Sequence, residues 1–239
     1  MKNKQTIQEL SIILPAYNEE RNIHLMIEDI VSFMRKYRKI KYELIVVNDG
    51  SKDKTGAVVQ RLLKIHGNLH VITHKRNQGY GSALRSGFMK ATKKWVFFTD
   101  SDRQFSLTDM PKLFELADTS TMVIGYRYSR QDNLMRILNA KLFNLVVRIL
   151  FGLKVKDIDC AFKLFERNIV KGNTLNSQGA LINAELLIKA KRMGYQILEV
   201  AVEHRARVEG NATGANIFVI LRAVRELFAF RIAVYPKLK

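Results

Sequence analysis

Short apolar runs alternate with stretches of helical spacing through the first half of the chain, and this alternation limits the available folds more than any other feature. Leu10–Leu14, Glu43–Val47, Val71–Thr73, Trp95–Thr99 and Met122–Gly125 read as strands. Between them, Glu19–Tyr37 carries Ile23, Ile27, Ile30, Val31 and Met34 at helical intervals. A segment that Asp53 or Thr55 can cap runs through His66, and Gly79–Lys93 reads as a third helix. Such alternation builds a parallel sheet with helices on both faces, so a three-layer α/β/α, Rossmann-like fold with a mainly parallel sheet is expected. Ligands of these sheets bind beyond the carboxyl ends of the strands. Residues just after each strand should then look chemical, and Pro15–Glu19, Asn48–Ser51 and Asp100–Asp102 do.

The second half is read less regularly. Asn133–Phe151 is an amphipathic helix with Lys141, Asn144 and Arg148 on one face. Ala161–Phe165 and Gln196–Val202 are strands around a helix at Ala180–Met193, and Asn216–Tyr235 is another apolar, Arg-bearing helix. No Ser/Gly/Pro-rich linker divides the chain, so one domain over residues 1–239 is expected, with halves at about 10–130 and 131–239. Forty basic residues against 22 acidic give a net charge of +18, which calls for an anionic partner: phosphates, nucleic acid or an acidic membrane surface. A nucleic-acid-binding protein needs a basic stripe with aromatic platforms or a recognisable module, and none is present, so no nucleic-acid partner is expected. The lone cysteine, Cys160, excludes an intrachain disulfide and fits a reducing, cytoplasmic setting. Met1–Glu9 lacks an apolar signal core, and no transmembrane run is found, so contact with a lipid would be peripheral.

Asp100 and Asp102 follow the apolar strand Trp95–Thr99, and in extended chain residues i and i+2 point the same way. With Gln104 they can present three oxygen ligands to Mg²⁺ or Mn²⁺. A bare D-x-D is also a common solvated turn; its position at the end of a buried strand favours the ligand role. Asp49 follows Ile45–Val47 and is either part of an ordinary Asn-Asp-Gly-Ser turn or an acceptor for a base N–H. Arg76–Gly81 opens a helix whose N-terminus favours anions. It is neither a Walker A loop nor a correctly spaced G-x-G-x-x-G, which counts against kinase, ATPase and dehydrogenase functions.

Taken together these residues resemble the inverting, A-type fold glycosyltransferases of family 2, and more narrowly the dolichol-phosphate mannose synthase and polyprenyl-phosphate glycosyltransferase branch. The resemblance runs from about Leu10 to Gly210. Pro15-Ala16-Tyr17-Asn18-Glu19 matches the first nucleotide-contacting motif, and Val46–Ser51 matches V-V-D-D-G-S with Asn48 in place of the first aspartate. Asp100-Ser101-Asp102-Arg103-Gln104 matches the D-x-D-x-Q of the lipid-phosphate branch, and Gly125–Tyr128 is similar to G-S-R-Y. Asp157–Phe165 is similar to D-L-T-G-S-F-R-L-Y, with Lys163 where the motif has arginine and Cys160-Ala161 where it has Gly-Ser. Arg207 and Gly210 match R-x-x-G-x-S, with Ala212 at the serine position.

The resemblance implies the A-type nucleotide-diphospho-sugar transferase fold, with the first half binding the donor and the second the acceptor. Pro15, Ala16, Tyr17, Glu19, Asp49, Asp100 and Ser101 would bind the nucleotide of a UDP- or GDP-sugar, and Asp100, Asp102 and Gln104 the metal. The acceptor would be a polyprenyl (dolichyl or undecaprenyl) phosphate, already ionised and needing positioning rather than a strong base. Asp102, Arg127 and Asp157 are the catalytic candidates; Arg127, Lys163 and Arg207 are the candidates for phosphate binding. A sugar hydroxyl acceptor would instead require a catalytic carboxylate, first of all Asp157 or Asp159. The two Arg-bearing helices either dock on a membrane surface at its cytoplasmic face or pack on the sheet, a membrane-protein partner or a second copy of the chain.

Overall fold

The structure is a computed structural model that describes residues 7–118, 120–128, 134–171, 175–205 and 225–232. Its sheet contains β1 (Glu9–Ala16), β2 (Lys41–Asn48), β3 (Leu69–Thr73), β4 (Trp95–Thr99), β5 (Thr121–Arg127), β6 (Phe162–Glu166) and β7 (Gln196–Val202), in the order β3-β2-β1-β4-β6-β5-β7. Neighbours are parallel except at β6, which runs against both β4 and β5. Helices α1 (Ile23–Met34), α2 (Thr55–Leu63), α3 (Tyr80–Lys90), α4 (Met110–Leu116), α5 (Leu134–Phe151) and α6 (Ile182–Arg192) flank it. The expected α/β architecture with a mainly parallel sheet is therefore formed, and β6 places second-half residues between two first-half strands.

Several expected elements shift at their ends for identifiable reasons. The helix expected from Glu19 begins at Ile23, because Asn18 takes a left-handed backbone at φ 55 and the Glu19 and Glu20 amides donate to Thr55 Oγ1 and Asp53 Oδ2. Asp53 caps α2 from outside it, its Oδ1 accepting the Thr55 N–H at 2.9 Å. Gly79, at φ 97, stands before α3 rather than in it. Of the helix expected over Asn216–Tyr235, 225–232 is helical and the remainder lies outside the described residues.

β4 is the buried centre: Trp95, Val96, Phe97 and Phe98 are each at most 1% exposed. Phe97 meets Phe162 of β6 edge to face at 4.8 Å, and Phe88 of α3 lies against both Phe98 and Phe165. At the other extreme, Leu138, Leu142, Leu145 and Ile149 are more than half exposed and recur on one face of α5. Phe230 reaches Phe151 at the end of α5, and Phe228 and Ile232, on the other side of their helix, are exposed. No helix among the described residues is long and apolar enough to cross a membrane.

Two glycines allow main chains to cross at the functional edge. Gly50, at φ 67, lies so close to the Arg76 backbone that a Cβ would stand 2.3 Å from its carbonyl carbon. A Cβ on Gly81 would stand 2.4 Å from the Ser177 carbonyl oxygen. Because backbone atoms cannot yield as a side chain does, Gly81→Ala is expected to cost about 1–3 kcal/mol in denaturant unfolding.

Candidate active site

The carboxyl ends of β1, β2, β4 and β5 and the amino end of β6 share one edge of the sheet. Pro15 and Ala16 close β1, and Tyr17 follows with an exposed ring. The loops after β1 and β2 are stitched together: the Asn18 amide donates to Ser51 Oγ at 3.0 Å, the Lys52 amide to Asn18 Oδ1 at 2.8 Å and the Lys54 amide to Glu20 Oε2 at 2.8 Å. Glu19 Oε2 accepts the Asn22 amide group at 2.7 Å. Asn48 accepts the Ser51 N–H through Oδ1 at 3.0 Å, a task for any side-chain oxygen, which explains why asparagine can stand where the motif it resembles has aspartate. Buried Ser101 ties β4 to β1 by donating to the Pro15 carbonyl at 2.8 Å.

Asp49 is 3% exposed and heavily engaged. Its Oδ1 accepts the Gln78 N–H at 2.9 Å and lies 2.6 Å from His74 Nδ1, while Oδ2 accepts the Gly79 N–H at 2.9 Å. His74 Nε2 reaches Ser86 Oγ of α3 at 2.9 Å. His74 is absent from the sequence-based candidates, although it directly follows β3 and the strand-end rule that selected the others points to it. The N-terminus of α3, expected to favour an anion, is met by the chain itself: the Gly81 N–H donates to the Gln178 carbonyl at 2.7 Å. That segment is held in turn by Glu185, fully buried, which accepts the Asn176 and Ser177 amides. Glu185 and Gln178 carry no sequence signal, since the loop and helix-start amides they accept lie 8 to 97 residues away.

Asp100 and Asp102 lie at the end of β4. Burial, then the neighbouring Asp102 charge, pushes the Asp100 carboxyl up to about 7, against the opposing pull of Tyr80, Arg127 and Lys163. The Tyr80 hydroxyl is buried beside Asp100 without a well-formed hydrogen bond, and burial and then the Asp100 charge raise it well above the usual phenol range. Between Asp102 and Gln104, Arg103 takes a left-handed backbone at φ 61 and its Nε bonds Asp29 of α1 at 2.9 Å. The Gln104 N–H donates to Asp102 Oδ1 at 3.1 Å. Among the described residues no group of three or more His, Cys, Asp or Glu could hold a metal. Two adjacent carboxylates with an amide oxygen nevertheless form a hard, negative donor set that leaves most of a Mg²⁺ or Mn²⁺ shell to phosphate oxygens and water.

At the end of β5, Arg127 grips Asp157 fork to fork, Nε to Oδ2 at 2.7 Å and Nη2 to Oδ1 at 2.8 Å, with both side chains no more than 7% exposed. Lys163 lies wholly inside the sheet, where Nζ donates to the Ile158 and Cys160 carbonyls and to Asn183 Oδ1. Burial lowers its pKa, and burial pushes the nearby Cys160 thiol up to about 12, leaving it unreactive. Arg207 lies outside the described residues.

This three-layer architecture, with carboxylates at the carboxyl edge, is that of the A-type sugar-nucleotide transferases. The fold is shared with glucosyl-3-phosphoglycerate synthase of Mycobacterium tuberculosis, solved with Mn²⁺, UDP and glucosyl-3-phosphoglycerate, at TM-score 0.71 and 21% identity over 95% of this chain and 79% of that one. Residues 11–173 match glycosyl transferase family 2, and the chain belongs to that family. It is 30% identical to a dolichyl-phosphate beta-glucosyltransferase of Trichomonas vaginalis, over 96% of this chain and 74% of the relative. It is also 30% identical to an undecaprenyl-phosphate 4-deoxy-4-formamido-L-arabinose transferase of Pectobacterium atrosepticum, over 86% of this chain and 62% of that protein. The chain thus spans between three fifths and three quarters of these relatives' length.

Removing Asp157 takes both fork bonds from a buried guanidinium, so Asp157→Ala is expected to cost about 3–5 kcal/mol in denaturant unfolding. Asp100 supplies a pH signature. Its carboxyl holds a proton up to about 7 in the fold, against an ordinary value of 3.8. A raised carboxyl binds more protons folded than unfolded, so metal-free stability falls as pH rises between those two values and is level above them. Unfolding across this window should show that decline, and Asp100→Asn should remove its share.

Proposed function

We propose that this chain is an inverting hexosyltransferase that moves a sugar from a UDP-sugar to the phosphate of a polyprenyl phosphate at a membrane surface. The observation that carries the proposal is the charge arrangement at the sheet edge: a close carboxylate pair, Asp100 and Asp102, beside a guanidinium, Arg127, already steadied by Asp157. The names of the relatives, dolichyl-phosphate and undecaprenyl-phosphate transferases, support the lipid acceptor.

Asp100, Asp102 and the Gln104 amide oxygen are the residues that would hold Mg²⁺ or Mn²⁺, whose charge would stabilise the departing nucleoside diphosphate. Tyr17 offers its exposed ring to the base, and Pro15, Ala16, Glu19 and Ser101 shape the nucleotide side. An ionised carboxylate has roughly four acceptor positions, and three on Asp49 are taken within the chain, which leaves room for one N–H donor. Uracil presents one such donor, N3–H; guanine presents a pair. The UDP bound in the Mycobacterium structure supports the same base.

The acceptor phosphate oxygen forms its bond to the anomeric carbon as the carbon–oxygen bond to the diphosphate breaks on the opposite face, inverting configuration. A phosphate is ionised near neutral pH and needs no strong base, which agrees with a carboxylate, Asp157, committed to orienting Arg127 rather than to taking a proton. Lys163 acts from behind the site by holding the 158–160 turn, and Arg207 is a further phosphate contact.

The exposed ridge of α5, flanked by exposed Lys141 and Arg148, is the surface proposed to rest on anionic lipid. Leu142→Asp with Ile149→Asp should lower co-sedimentation with anionic phospholipid vesicles and leave nucleotide binding intact.

The decisive assay incubates the protein with Mn²⁺ or Mg²⁺, a polyprenyl phosphate in detergent, and labelled UDP- and GDP-sugars. Label should enter the organic phase from a UDP-sugar, and Asp102→Ala should abolish the transfer. Label that stays aqueous while metal-dependent UDP binding persists would reject the lipid acceptor and favour a soluble saccharide acceptor; organic-phase label from GDP-sugars alone would reject the uracil assignment.

A further inference from the structure

Arg103 is not glycine, yet its backbone is left-handed, at φ 61, in the middle of the carboxylate turn. Such a conformation persists only where its surroundings over-determine it. One support is the Arg103–Asp29 pair on α1. The other comes from the chain leaving β7, roughly a hundred residues away in sequence. His204 bridges Phe105 in antiparallel fashion with their rings 5.1 Å apart, the Arg205 N–H donates to the Gln104 carbonyl at 2.8 Å, and the Glu203 N–H donates to Asp109 Oδ2 at 2.7 Å. The Gln104 side chain completes this contact: Nε2 donates to the Arg205 carbonyl at 2.9 Å. A main-chain carbonyl only accepts, so chemistry fixes which end of the amide faces Arg205. The oxygen, Oε1, is the opposite end.

We infer that Gln104 is a two-ended positioning residue: its amide nitrogen clamps the 203–205 strand extension onto the carboxylate turn while its oxygen serves the cation, so cation binding and docking of that extension reinforce each other. The inference rests on the proposed cation at Asp100, Asp102 and Gln104. A cation on Oε1 draws electron density from the amide and makes its N–H groups stronger donors. By reciprocity, a docked extension favours the cation by the same factor. Glutamate at 104 separates the two ends, because it keeps an oxygen ligand, loses the donor and sets a carboxylate against the Arg205 carbonyl.

Amide hydrogen exchange at Arg205, followed by NMR with and without Mg²⁺ and UDP, reads the clamp directly, and calorimetry on the same samples reads Mg²⁺–UDP binding. In the unmodified chain Mg²⁺–UDP should slow exchange at Arg205 by at least about fivefold. In Gln104→Glu, Mg²⁺–UDP should still bind, whereas Arg205 should exchange faster in the free protein and cease to respond to the ligand. A brace with a purely structural role would protect Arg205 equally with and without the cation. Mg²⁺–UDP binding without any change at Arg205 in the unmodified chain overturns the coupling, and so does a Gln104→Glu protein that keeps both the protection and the response. Absence of Mg²⁺–UDP binding to the unmodified chain rejects the cation reading itself; the clamp half then stands or falls on whether Gln104→Glu accelerates Arg205 exchange in the free protein.

Discussion

Two carboxylates at the end of a fully buried strand are electrostatically costly, and the rest of the functional edge is arranged around that cost. Burial and mutual repulsion both favour protonation of Asp100. The cations nearby do not fully relieve it, because Arg127 is committed to Asp157 and Lys163 to carbonyl oxygens within the sheet. The edge therefore retains a local excess of negative charge inside a chain whose net charge is +18. The two fields act at different ranges: the net positive charge attracts anions from a distance, and under the proposed function the carboxylate pair selects the cation that accompanies a diphosphate.

The 77–81 and 175–179 segments are joined main chain to main chain, and each is anchored by a buried carboxylate. The Asp49 carboxylate holds the Gln78 and Gly79 amides, the Gln178 carbonyl closes the start of α3, and Glu185 holds Asn176 and Ser177. Gly50 and Gly81 allow these main chains to approach within a distance that no side chain would tolerate. A displacement of the 175–179 segment is consequently transmitted to the start of α3, with no flexible side chain between them to absorb it.

Legibility in the sequence followed the range of the interactions concerned. β4 was readable to the residue because a strand buried on both faces leaves an uninterrupted apolar run, and β7 because Ile197, Leu198, Val200 and Val202 carry a strand pattern that the single charge of Glu199 does not hide. The residues at strand ends were readable because fold class alone says where ligands bind. Helix starts were displaced wherever a distant group captured the first amides, as Thr55 and Asp53 do at Glu19 and Glu20. Antiparallel β6 was readable as a strand but not by direction, since direction is set by partners far along the chain. The same holds for the site: Asp49, Asp100 and Asp102 stand out locally, whereas the Arg127–Asp157 fork and the burial of Lys163 depend on contacts that no spacing rule encodes.

The reversed strand also bears on how the molecule assembles. β6 lies in a slot between β4 and β5 and pairs with both. Its pairings span more than 60 residues to β4, so the chain closes a long loop for its central strand and pays the slow folding rate of a high-contact-order topology. Without β6, β4 and β5 would present two bare hydrogen-bonding edges containing valine, isoleucine and phenylalanine, the kind of edge that invites aggregation. The strand whose amino end reaches the candidate site thus also keeps those two edges covered.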